Sequence, residues 1–274
     1  MARCFRESCR RWRPDAIVKW AKLGLIVDGE WFCSYRCVEV DAVRRLRDAS
    51  SRELTSRAPA LRLGAVLLHQ GVVTLRQLSE ALEAQRTSGL RLGAQLQLLG
   101  YVTRDALLRA LSAQNGISYL ATIDTAAVRT APGGLSVDEV HALGIVPFRE
   151  TDEELMIACA APVPYSAIGA LQVLSGRKVH PYLVADDDFV RLAKEYGASA
   201  LSLRSNTAWD ISDGAARIAA LAADAGEVTM KEAHVDPFTW VRIDAHGRVS
   251  TLLVPPYGEN VKENAAWLAG TTRH

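Results

Sequence analysis

No apolar run in the chain approaches the roughly 18 residues that a membrane-spanning helix needs, so no transmembrane span is expected. The first residues, MARCFRESCRRWRPD, carry charge with no apolar segment behind them. They do not read as a secretory signal, and a cytoplasmic location is expected. Also missing are the strings by which many enzymes place phosphates, metals or nucleophiles: G-x-x-x-x-G-K-[ST], H-E-x-x-H, G-x-S-x-G and G-x-G-x-x-G. The six histidines, His69, His141, His180, His234, His246 and His274, are scattered and pair with no candidate nucleophile. His69 and His180 read as surface or partly buried positions rather than ligands. No catalytic constellation emerges, and no enzyme is expected.

What is present has the bulk of two or three small domains: 274 residues, 49% of them hydrophobic. A net charge of +1 conceals an asymmetry. Residues 1–118 hold 19 Lys and Arg against 11 Asp and Glu, or +8, whereas residues 119–274 hold 13 against 20, or −7. A basic N-terminal half suits an anionic ligand; it suits equally nucleic acid or the acidic half of the same chain.

The most informative segment is a gapless tandem repeat. Residues 62–85 and 91–114 both read R-L-G-x-x-L-x-x-x-G-x-x-x-x-x-x-L-x-x-x-L-x-x-Q, with RTSGL between them. In the first copy Leu63, Leu67 and Leu68 mark a short apolar helix face; Leu75, Leu78 and Leu82 mark a longer one. Leu92, Leu96, Leu99, Leu107 and Leu111 repeat this in the second copy. Gly71 and Gly100 stand where a helix C-terminus takes positive φ. Thr74 and Thr103 follow as N-caps, and Gln77 completes a capping box with Thr74. Each copy thus reads as a short helix, a glycine turn and a longer helix. Leucines and glycines are what such a hairpin needs to pack. The ends of each copy are less easily assigned to packing. Arg62 and Arg91 offer a planar fork matching a phosphate or the O6/N7 edge of guanine. Gln85 and Gln114 both donate and accept. Gly64 and Gly93 leave backbone N–H groups at a helix start open to an anion. Two equivalent half-sites suit a ligand that is itself two-fold symmetric.

These two motifs and their spacer resemble the MshEN domain, the cyclic-di-GMP-binding N-terminal domain of type II secretion and type IV pilus assembly ATPases. The resemblance implies cyclic di-GMP lying across both copies. Carried over position by position, its ligand-binding residues are Arg62, Leu63, Gly64, Leu67, Gly71, Leu78, Leu82 and Gln85, then Arg91, Leu92, Gly93, Leu96, Gly100, Leu107, Leu111 and Gln114. The resemblance continues in the segment after the repeat, from Val146-Pro147-Phe148 to Ala158-Cys159-Ala160-Ala161-Pro162. There the family often carries acidic or amide side chains just before and two after the proline; this chain has Ala161 and Pro164. With no P-loop, the chain resembles the regulatory front end of such an ATPase without the motor.

Four of the five cysteines fall in the first forty residues, as Cys4-x4-Cys9 and Cys33-x3-Cys37 with 23 residues between the pairs. Two close pairs suggest a structural zinc site, closed because four thiolates leave no open position. The alternative is four reduced thiols, some of them buried; disulfides are not expected in a cytosolic chain. The stretch Trp31-Phe32-Cys33-Ser34-Tyr35-Arg36-Cys37, running into a helical VEVDAVRRLRD, resembles treble-clef fingers of the FCS type. Cys159, in the apolar run LMIACAA, reads as core. The cluster Arg10-Arg11-Trp12-Arg13 on this module suits phosphates and a stacked base, or simply a solvated loop.

Beyond the repeat, residues 119–198 read as β-β-α-β-α, a small α/β sandwich; the last helix starts on acidic residues. The expected organisation is α+β and multidomain. It comprises a zinc module at 1–47, a polar linker at 48–60, the helical tandem-motif domain at 61–118 and the α/β domain at 119–198. A linker and helix follow at 199–232. Last comes a β-hairpin region at 233–274, whose turn is Ala-His-Gly and whose tail offers Trp267 and Leu268 as a docking point. Three functions fit. One is a non-enzymatic cyclic-di-GMP effector acting through an unidentified protein partner, such as pilus or secretion machinery. Another is a structural adaptor of such a system that has lost the ligand. The third is a zinc-containing nucleic-acid binder, marked by a contiguous basic face including Arg11 and Arg13.

Overall fold

The computed structural model describes residues 1–21, 23–51, 61–199 and 207–255. Most of the anticipated linker at 48–60, and the tail with Trp267 and Leu268, lie outside the described residues.

The chain opens with two short antiparallel strands, β1 (Ala2–Arg3) and β2 (Trp12–Arg13). Helix α1 (Asp15–Ala21) leads to a hairpin of β3 (Leu25–Val27) and β4 (Glu30–Phe32), then to the long helix α2 (Tyr35–Ser50).

The repeat folds as read. Its helices are α3 (Leu63–His69) and α4 (Leu75–Ser88) in the first copy, α5 (Leu92–Leu98) and α6 (Arg104–Asn115) in the second. Thr74 and Thr103 cap the longer helices by accepting from the backbone N–H of Gln77 and Ala106, and Gln77 completes the capping box. Gly71 and Gly100 turn the chain at φ +66° and +73°. Leu67 and Leu96, at equivalent positions, are wholly buried in a core shared by both copies.

Next comes β5 (Ser118–Tyr119), and after two 3-10 turns a helix absent from the sequence reading, α7 (Val137–Leu143). Its capping box, Ser136 with Glu139, is legible in S-V-D-E but is one short turn long in sequence. Then follow β6 (Val146–Glu150), β7 (Glu154–Cys159), α8 (Tyr165–Ser175), β8 (Lys178–Leu183) and α9 (Asp186–Ser199), in the expected β-β-α-β-α order. The sheet order is β5-β8-β7-β6, with β8 parallel to both neighbours and β6 antiparallel to β7. Cys159 is buried in this part, as read.

The C-terminal part departs from expectation. Helix α10 (Ile211–Ala225) is followed by three strands, β9 (Glu227–Val235), β10 (Phe238–Ala245) and β11 (Arg248–Val254). The Ala-His-Gly turn joins β10 and β11, with His246 and Gly247 at positive φ. Strand β9, however, begins inside the stretch read as linker and helix. It pairs in parallel with β3, giving one five-stranded sheet in the order β11-β10-β9-β3-β4. The residues read as a separate zinc module and a separate hairpin region therefore share a sheet and a core. Val38, Ala42 and Leu46 of α2 pack with Ala215, Ile218 and Ala222 of α10 over Val228, Val241 and Leu252. Arg45 ties them together, donating to Glu232 Oε2 at 2.7 Å, to the Met230 carbonyl at 3.0 Å and to Asp28. A forty-residue piece has too little core of its own, and the partner that completes it is nearly two hundred residues away in sequence.

The described residues thus divide into two compact units, one within Met1–Thr55, Gly169–Gly176 and Ser205–Ala265, the other within Ser56–Ile168 and Arg177–Arg204. Among them, no helix is long and apolar enough to cross a membrane.

Candidate functional site

The two copies of the repeat meet reciprocally. A Cβ on Gly64 would stand 3.1 Å from Leu78 of its own copy and 3.6 Å from Leu92 of the other. A Cβ on Gly93 would stand 3.1 Å from Leu107 and 3.5 Å from Leu63. These glycines therefore have a packing role, since each lets the short helix close on its long helix. Gly71 and Gly100 serve the turns, and Leu67, Leu78, Leu96 and Leu107 the core. Arg62 and Arg91 are extended N-cap residues, at φ −76°, ψ 140° and φ −64°, ψ 146°, so both side chains leave the backbone at equivalent points. The closing glutamine of the second copy reaches the start of the first, where Gln114 Nε2 donates to the Leu61 carbonyl at 2.7 Å.

Beside this junction lies a cavity of about 640 Å³, large enough for a nucleotide-sized ligand. Seven of the sixteen repeat residues singled out in the sequence line it: Leu63, Arg91, Leu92, Gly93, Leu107, Leu111 and Gln114. The other wall comes from the α/β part, through Ala161-Pro162 and Val184 to Asp187. Arg62, Leu82 and Gln85, the first-copy counterparts of Arg91, Leu111 and Gln114, are not part of it. Arg62 is exposed and makes no side-chain hydrogen bond among the described residues, and Leu82 is 44% exposed.

Arg91 is engaged. Its guanidinium donates to Asp186 Oδ2 at 2.7 Å and to the Ala161 carbonyl. Arg104, which the repeat replaces by Leu75 in the first copy, donates to Asp187 at 2.9 Å and to Asp188. Sequence reading missed Arg104 because only one copy carries it. It read the three aspartates solely as favourable charges at a helix start. In place these carboxylates pair with Arg91, Arg104 and Arg191.

The second constellation is at the N-terminus. The sulfurs of Cys4, Cys9, Cys33 and Cys37 all lie within 4.8 Å of one another, and all are free thiols. Cys9 Sγ is 3.7 Å from Cys33 Sγ, and Cys33 Sγ is 3.6 Å from Cys37 Sγ. Four thiolates about 2.3 Å from a tetrahedral zinc have edges of about 3.8 Å, so the donor set fits that ion. A tight turn carries the first pair, with Cys9 N–H donating to the Arg6 carbonyl at 2.9 Å. Cys33 and Cys37 flank the start of α2. The thiols are unequal. The backbone N–H of Arg11 lowers Cys9 to about 7, whereas burial pushes Cys33 up to about 12 and also raises Cys4. Cys9 is the easiest of these three to ionise.

One family model matches part of the chain. Residues 116–203 match the MshEN domain. This bears out the resemblance for the α/β part, whose match stops short of the tandem copies. Similar solved structures include MshE with cdg, 28% identical over 50% of this chain and 99% of that one, with a TM-score of 0.40. They also include the N-terminal domain of XpsE, 18% identical over 52% of this chain and 99% of that one, with a TM-score of 0.36. No curated protein matches the chain.

Proposed function

We propose that the chain is a non-enzymatic effector that binds one cyclic di-GMP across the two copies of its repeat. The observation that carries this reading is the reciprocal packing of the copies around Leu63 and Leu92, which sets Arg62 and Arg91 at equivalent helix starts, with Arg91 lining a nucleotide-sized cavity. The MshEN match on the neighbouring segment supports it. Each half of the ligand meets one arginine fork, and Gln85 and Gln114 supply donors and acceptors. The mostly apolar walls from Leu92, Leu107 and Leu111 exclude water from the bases. Arg91 pairs with Asp186 at 2.7 Å. A ligand that takes Arg91 must release Asp186, so bound and free states differ at the start of α9. Such a difference is what a partner, for instance pilus or secretion machinery, can read.

The test is the Arg62→Ala, Arg91→Ala double variant, assayed by equilibrium dialysis against labelled cyclic di-GMP. Each fork is worth about 1–3 kcal/mol, so affinity should fall about thirty-fold or more. Unchanged affinity would exclude the site. Wild-type protein that binds no ligand would leave the adaptor reading, for which the closed Arg91–Asp186 pair already speaks.

The four-cysteine cluster is proposed to hold one structural zinc, which would fix the N-terminal turn and the first turn of α2 to each other. Elemental analysis should find about one zinc per chain. Cys33→Ser should lose it and expose α2, α10 and β9 to β11 together to protease, since they share one core, while nucleotide binding persists. Metal-free protein with a protease-resistant N-terminus would contradict the assignment.

A further inference from the structure

We propose that the β1–β2 hairpin and the turn it closes form a contact surface for single-stranded nucleic acid, independent of the repeat. Residues 1–13 contain Arg3, Arg6, Arg10, Arg11 and Arg13 against a single acid, Glu7. The register places Arg3 directly across from Trp12 and Ala2 across from Arg13. Trp12 is 56% exposed, and Arg3, Arg10, Arg11 and Arg13 are exposed around it. None of these four guanidiniums makes a side-chain hydrogen bond or ion pair among the described residues. Six arginines elsewhere, Arg45, Arg76, Arg91, Arg104, Arg109 and Arg129, hold carboxylates. The nearby Asp15 is taken by the N-terminal ammonium. Four cations left without counter-charge around an exposed indole attract a polyanion, and the anion's counterions are released on contact.

The chemistry favours a single strand over the other polyanions. An indole face can stack only on a base that is not already stacked in a duplex. Strands of two residues present neither a helix nor a long ribbon to a groove. A bilayer would need several apolar side chains to enter it together. Here Trp12 stands across from Arg3 and between Arg11 and Arg13 in sequence, while Phe5, 45% exposed, lies edge-on against Phe32 at 5.7 Å. The cysteine cluster stiffens the platform, since Cys4 and Cys9 lie in the turn and Cys4 N–H donates to the Arg11 carbonyl at 3.0 Å.

The experiment is fluorescence anisotropy of labelled oligouridylate and oligothymidylate with the full chain, over a range of salt. We expect binding that weakens with salt, with a log–log slope of about −0.7 for each phosphate contacted. Trp12→Ala should weaken it about ten-fold or more with little change of slope. The Arg10→Glu, Arg11→Glu, Arg13→Glu variant should abolish it, with circular dichroism and metal content unchanged to show that the fold persists. The proposal is overturned if single strands do not bind at low salt, if the charge-reversed variant binds like wild type, or if duplex or anionic phosphatidylserine vesicles are bound in preference.

Discussion

The two copies of the repeat share a motif and a backbone but not an environment. Their N-cap geometries agree within a few degrees in ψ, and their glycines pack on equivalent leucines at the same 3.1 Å. In the second copy the outward face meets the α/β part, where Arg91 pairs with Asp186 and Arg104 with Asp187 and Asp188. In the first copy the same face is open, with Leu75 73% exposed and Arg62 unpaired among the described residues. The motif therefore dictates how each hairpin folds, while the neighbouring segment decides whether its half-site is free or held.

That contrast can be tested first where the copies should be alike. Leu67→Ala and Leu96→Ala each empty a fully buried position of one shared core. Each should cost about 2–5 kcal/mol in urea unfolding, and the two costs should be similar. A silent substitution at either position would show that the copies are not structurally equivalent.

A smaller effect should separate them. Arg62→Ala removes a fork that is already available, so its cost in cyclic di-GMP affinity should approach the full value of about 1–3 kcal/mol. Arg91→Ala should cost less, because Arg91 gives up its pair with Asp186 on binding. That exposed pair is worth about 0.2–1 kcal/mol, so Asp186→Ala should tighten binding by up to about five-fold. Weaker binding by Asp186→Ala in equilibrium dialysis would instead make that carboxylate a ligand contact.

The repeat was legible because every signal in it is local. Helical spacing, the Thr74–Gln77 box and the glycine turns each fall within a few residues of what they determine. The α/β order was legible for the same reason. Its acidic helix start was seen too, but not that Asp186 reaches Arg91, 95 residues earlier in the chain. The pairing of β3 with β9 was equally invisible. Leu25–Val27 is three residues long, and its partner lies some two hundred residues away, so no periodicity links them. The cysteines succeeded across a gap of 23 residues because their chemistry, unlike that of apolar strands, names its own partners.

Titration calorimetry of the full chain with cyclic di-GMP tests the central claim most directly, because stoichiometry distinguishes one composite site from two separate ones. A single dinucleotide per chain, bound by wild type and lost in the double arginine variant, is the predicted result. Two ligands per chain, or no saturable heat, would contradict the account of two half-sites built around one symmetric ligand.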